Sequence, residues 1–138
     1  MYRKILVGYD GSDAGRKAFD AALGLAAENE AELYVLTVAR PPDIGSDVET
    51  EAVIENSRRY HHRLLAELKS AIAPKHVKLH YEVAIGHPAE QIIYSSDKHG
   101  VDLIVVGDRG HSRLVRLLLG SVSRHVVEHA GRPVMVVR

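Results

Sequence analysis

The sequence predicts a single α/β domain, residues 1–138, on a doubly wound parallel sheet of five strands in the order 3-2-1-4-5, with helices on both faces. Five short apolar runs alternate with four helical patterns, and strict β-α alternation implies parallel strands joined by crossover helices. Four of the runs are apolar with little alternation, as strands covered on both faces are. The remaining run alternates and therefore belongs at an edge. Right-handed crossovers then select this Rossmann-like order, whose reversal point lies between strands one and four.

Each element has its own signal. Ile5-Leu6-Val7 is the first strand, ended by Gly8-Tyr9-Asp10-Gly11-Ser12. Residues 13–29 read as a helix with Ala18, Phe19, Ala22, Leu23, Leu25 and Ala26 on its apolar side. Leu33 to Val38 is the second strand, and Arg40-Pro41-Pro42-Asp43-Ile44-Gly45 breaks both periods and forms a loop. A long helix over 47–72 follows, with Ser46 and Glu49 placed for a capping box and Val53, Tyr60, Leu64, Leu68 and Ile72 as its stripe. In the third strand, Val77 to Val83, Lys78, His80 and Glu82 give one wet face. Pro88 opens a short helix to His99, which Gly100 caps. Leu103 to Val106 is the fourth strand. A last helix is expected from about Ser112 to Ala130, stopped by Gly131 and Pro133, and Val134 to Val137 is the fifth strand.

Composition narrows the function classes. Apolar residues make up 46% and charged residues 26%, the profile of an ordinary globular domain. Eighteen basic residues balance eighteen acidic ones, which argues against a nucleic-acid footprint and removes one barrier to self-association. The absence of cysteine excludes disulfides, thiolate chemistry and zinc-cysteine sites. No run reaches transmembrane length and no signal-peptide pattern opens the chain, so a cytoplasmic, non-membrane protein is expected.

The chemistry concentrates in Gly107-Asp108-Arg109-Gly110 and, nine residues on, Gly120-Ser121-Val122-Ser123. Glycines at a strand end permit a tight turn and close approach of a ligand to the main chain. A helix start beside them offers unpaired N–H groups and a positive dipole end, which suit phosphate. Asp10 ends strand one and Gly107 ends strand four, and ligands of such sheets bind at that reversal point. The bland alternatives are glycines used for packing and Asp10 used as a turn residue. Arg109, His111 and Arg113 read equally as phosphate contacts or as solvated loop charges.

In these residues the chain resembles the universal stress protein family, in its ATP-binding branch. Gly107, Gly110, Gly120 and Ser121 match that branch's glycine spacing without a gap. Val7-Gly8-Tyr9-Asp10-Gly11-Ser12, Gly86-His87-Pro88-Ala89-Glu90 and Gly131-Arg132-Pro133-Val134-Met135-Val136-Val137 match in order, so the resemblance spans the whole chain. It implies ATP as ligand, with or without Mg2+. Asp10 would lie near ribose and adenine, and the backbone of Val38 would read the adenine edge. Gly107 and Gly110 would bring main-chain N–H groups to ribose and phosphates. Gly120, Ser121 and Ser123 would bind phosphates, with Val122 contributing backbone. It also implies a homodimer paired through Val134–Val137, a strand that would otherwise leave an apolar sheet edge open.

One residue departs from the family pattern. Asp108 stands where the family usually has a small residue. A carboxylate at ~6 Å from a phosphate would cost about 3 kcal/mol at an effective dielectric of 20. Pointing away is the first choice for Asp108; the others are neutralisation by Arg109 or Arg113, a weaker site, or a share in a magnesium shell.

Other motifs fail on spacing. GxxxxGK[ST] is absent, so this is no P-loop protein. His125-Val126-Val127-Glu128-His129 matches HxxEH, but no third ligand follows it. His61 and His62 are adjacent, face different directions and read as a polar helix face. A phosphoacceptor receiver would need an aspartate after strand three, where Val83-Ala84-Ile85-Gly86 has none. No catalytic residue and no metal ligand is assigned. The function that the resemblance to this family implies is a nucleotide-dependent stress sensor or regulator acting on an unidentified protein partner. Nucleotide would order the loop over 40–46 and the turn over 107–112. The alternatives are a slow ATPase or nucleotidyl- or phosphoryl-transferring enzyme on the same fold, and an interaction protein with a disabled site.

Overall fold

A computed structural model of the chain describes residues 1–40, 48–71, 76–109 and 119–138, with backbone alone for 48–50 and 70–71. The elements run β1 (Lys4–Gly8), α1 (Asp13–Asn29), β2 (Glu32–Ala39), α2 (Val48–Ala71), β3 (Leu79–Ile85), α3 (Pro88–His99), β4 (Leu103–Gly107), α4 (Ser121–His129) and β5 (Val134–Val137). The strands form one parallel sheet in the order β3-β2-β1-β4-β5, as the hydrophobic patterning predicts.

The sheet separates two cores. Successive strand residues face opposite sides, so Ile5, Val7, Leu33, Val35, Leu103 and Val105 share one core with Phe19 of α1 and Leu65 and Leu68 of α2. Leu6, Leu36, Ile104 and Val106 share the other with Ile92 of α3 and Val126 of α4. Each such side chain, fully buried, contributes about 1.5–3 kcal/mol, which is why these strands carry apolar residues on both faces. Ser12 caps α1 by accepting from the Gly15 N–H at 3.0 Å. Gly100 ends α3 in the left-handed conformation, φ +64°, that glycine adopts freely.

Four expectations need correction. β3 lies two residues later than its alternation suggests, because pairing with β2 sets its limits: Leu33 N donates to Lys78 O and Gly86 N to Ala39 O. Its polar face is not simply wet. The His80 ring stacks on Tyr34 at 4.5 Å, Tyr34 stacks on His99 at 4.3 Å, and the two imidazoles donate to Glu32 and Glu82 at 3.1 and 2.9 Å.

The last helix is not continuous through Gly120. That residue is extended, with φ −63° and ψ 161°, and donates its N–H to Asp108 O at 2.7 Å, so α4 starts at Ser121. The part of that expectation over 110–118, the proline loop over 41–47 and the Ser46–Glu49 capping box lie outside the described residues or side chains. The stripe on α2 holds at Leu68, but Tyr60 and Val53 are 45% and 50% exposed, because the helix is longer than the sheet it packs on.

Candidate functional site

The carboxyl ends of β1 and β4 open into a cleft of ≈ 680 Å³, in the range of small-molecule sites. Asp10, Val38, Gly107, Gly120, Ser121, Val122 and Ser123 all line it, so the fold assembles in one place residues that the chain spreads over more than a hundred positions. Gly110, His111 and Arg113 lie outside the described residues.

At the β1 end, Asp10 Oδ1 accepts from the Ser12 N–H at 2.9 Å and from the Ser12 hydroxyl. Asp10 therefore shapes the entry to α1 as well as facing the cleft. Gly15 makes this arrangement possible, since a Cβ there would lie 2.7 Å from Asp10 Oδ1. At the β4 end, a Cβ on Gly107 would lie 2.8 Å from Ala14 O and 2.9 Å from Ala14 C. The glycine at this position is thus required for packing α1 onto the strand, and its main chain also lines the cleft.

Asp108 points away from the cleft. The residue is 6% exposed, and Gly107 and Arg109 line the cleft while Asp108 does not. Its N–H donates to Val137 O at 2.9 Å, and Arg109 Nε lies 3.8 Å from its carboxylate. Alternation along the extended chain explains the outcome: the neighbours of a residue facing the cleft face the interior. The repulsion feared for this carboxylate therefore does not arise at the cleft wall.

Gly120 brings the start of α4 against this strand end; a Cβ on it would sit 3.0 Å from Arg109 Cα. The first-turn N–H groups of α4, from Ser121 to Ser123, have no intrahelical acceptors, and no carboxylate occupies that turn. The Ser123 hydroxyl is engaged internally, with Asp108 O at 3.0 Å and Gly120 O at 3.1 Å as its acceptors. What Ser123 offers a phosphate as a donor is its main-chain N–H. Ser121 is exposed and its hydroxyl has no such tie among the described contacts.

The sequence reading missed one wall. Ser57, Tyr60 and His61 of α2 line the cleft, together with Arg40 at the end of β2. His61 is half-buried rather than part of a solvated polar face, and its Nδ1 lies 3.4 Å from Ser57 O. Burial, and secondly His62, hold its imidazole below the usual histidine range, so it is neutral at pH 7. The signal was length. A helix of 24 residues spans about 36 Å, whereas the eight residues of β2 span about 26 Å. Among the described residues the charged side chains lining the cleft are Asp10, Arg40 and Arg109, a balance that favours an anion.

Among the described residues no group of three or more His, Cys, Asp or Glu side chains could hold a metal ion. Nor, among them, is any helix long and apolar enough to cross a membrane.

The sequence model of the universal stress protein family matches residues 1–138. The chain is 38% identical over 148 residues to the universal stress protein YxiE of Bacillus subtilis, covering 100% of both chains. In structure it is similar to the universal stress protein UspA from Lactobacillus plantarum, with a TM-score of 0.90 at 27% identity, covering 99% of this chain and 98% of that one. It is also similar to a universal stress protein solved in complex with cAMP, with a TM-score of 0.70 at 28% identity over 99% and 97% of the two chains. This chain belongs to the universal stress protein family.

Proposed function

We propose that the protein binds ATP in this cleft and acts in the cytoplasm as a nucleotide-dependent regulator of a stress response. The observation that carries the reading is the pairing of two unlike surfaces at the sheet's reversal point. Gly107, Gly120 and the uncapped first turn of α4 suit phosphates, and the apolar side chains of Leu36, Val38 and Ile92 suit a base. The related protein solved with cAMP, an adenine nucleotide, supports the ligand class. Magnesium would arrive on the nucleotide, held by phosphates and water, since it needs few protein ligands.

Binding rather than turnover is the reading for a chemical reason. Asp10 is the one carboxylate lining the cleft among the described residues, and its Oδ1 is committed to Ser12. The protomers would pair through β5, whose four residues are half-buried at an open sheet edge. Calorimetric titration with ATP and magnesium tests the core of the proposal. A micromolar dissociation constant is expected, and the absence of heat at millimolar ATP overturns it. Sedimentation at micromolar protein should give a dimer, which replacement of Met135 by lysine would disrupt.

A further inference from the structure

We propose that α2 forms the base-stacking wall of this cleft, with Tyr60 as its specificity-determining residue and His61 as the buttress that positions it. The inference rests on the nucleotide reading and goes beyond it. It assigns a role to a helix on which none of the sequence-derived site residues lies, and it predicts preference among nucleobases.

Position comes first. Leu65 and Leu68 anchor the lower part of α2 in the core. The helix packs on β2 and β3, the half of the sheet farthest from β5. Its upper part therefore stands over the carboxyl end of β2, where Tyr60 and His61 line the cleft from one face of the sheet and Val38 from the other. The phosphate-suited groups, Gly107, Gly120 and Ser121, lie across the crevice at β4 and α4. A nucleotide with its phosphates at α4 and its base toward Val38 meets α2 with the base.

The side chains fit that part. Tyr60 is 45% exposed, a large aromatic at the lip of a cleft. Its ring meets His61 edge to face, with centroids 5.2 Å apart and planes at 86°. An edge-on neighbour restrains the ring without covering both of its faces, so a stacking surface remains. His61 is turned toward Ser57 O one helical turn back, and burial keeps it uncharged. A neutral aromatic pair suits a heterocycle; a phosphate would call for a cation.

Competition calorimetry with Mg-ATP and Mg-UTP separates the outcomes. Both ligands carry the same triphosphate, and a purine stacks more extensively than a pyrimidine. Tyr60→Ala should weaken ATP about tenfold, the scale of one base–aromatic stack, and shrink the ATP-over-UTP preference. Tyr60→Phe should restore both. His61→Ala should weaken ATP less and in the same sense. Arg109→Ala should weaken ATP and UTP by a common factor, leaving the preference intact. The inference is overturned if Tyr60→Ala leaves the preference unchanged while Arg109→Ala still weakens both ligands; the nucleotide reading then survives. If the unaltered protein binds neither triphosphate, the nucleotide reading fails and the inference falls with it. Tyr60 is exposed, so its replacement leaves the core intact, and an unchanged thermal midpoint verifies this.

Discussion

At the amino end of the sheet, side chains close the main chain off; at the carboxyl end of β4, the chain runs through glycines and α4 begins without a side-chain cap. The Asp102 carboxylate accepts the N–H groups of Arg3 and Lys4 at 2.6 and 3.0 Å, and Arg132 Nη1 donates to Val101 O at 2.7 Å. At the other end the chain turns at Gly107 and Gly120, and α4 starts without a capping side chain. Both ends face the same requirement, that polar main-chain groups find partners. The amino end meets it within the protein and so holds the fold together. The carboxyl end defers it, and a deferred donor is what a phosphate can use.

The contrast breaks most severely at Gly107. Gly107→Val would force side-chain atoms against the Ala14 peptide, only 2.8 Å from where a Cβ would sit. About 2 kcal/mol of destabilisation in urea unfolding is expected, with loss of ATP binding. Gly120→Val should separate the two properties. Its Cβ would be 3.0 Å from Arg109 Cα, so the start of α4 shifts off the strand end. Calorimetry should show at least a tenfold loss of ATP affinity for about 1 kcal/mol of stability. Equal losses at both glycines in stability and affinity would mean that the carboxyl end is a packing device alone.

Asp102→Asn probes the closed end. The Arg3 and Lys4 N–H groups hold this carboxylate below its usual range. Its stabilisation is therefore present above about pH 4 and lost as pH falls through the lower folded-state value. The variant should be less stable at neutral pH, show a shallower acid decline in thermal melts, and bind ATP normally. The smallest effect is expected at His61. Its folded-state value is depressed by burial, so the unfolded chain takes up the proton first. Stability is full above about pH 6.5 and declines as pH falls toward the folded-state value. In melts across that window His61→Gln should remove part of the decline; an unchanged slope would mean that His61 is solvated.

Much of the framework was legible because its causes are local. The apolar runs at 5–7, 33–38, 103–106 and 134–137 and the alternation near Lys78 and His80 order the sheet, since side chains follow the strand period wherever a face is buried. The glycine spacing pointed to the cleft that Gly107 and Gly120 line, because glycine is needed where backbones meet. The long last helix misled because Leu119 and Gly120 sit between segments of compatible period, and nothing in that period registers that Gly120 N–H bonds Asp108 O across the turn.

The sequence by itself determined the order of strands and helices, the two apolar cores and the convergence of Asp10, Gly107, Gly120 and Ser121 at the reversal point, because these follow from periodicity and chain connectivity. Tertiary structure decided which way the side chains face. It turned Asp108 inward while Arg109 faces the cleft, engaged the Ser123 hydroxyl with main-chain carbonyls and carried Tyr60 and His61 beyond the sheet to the cleft lip. Those outcomes depend on distances between segments far apart in the chain, which no local pattern encodes.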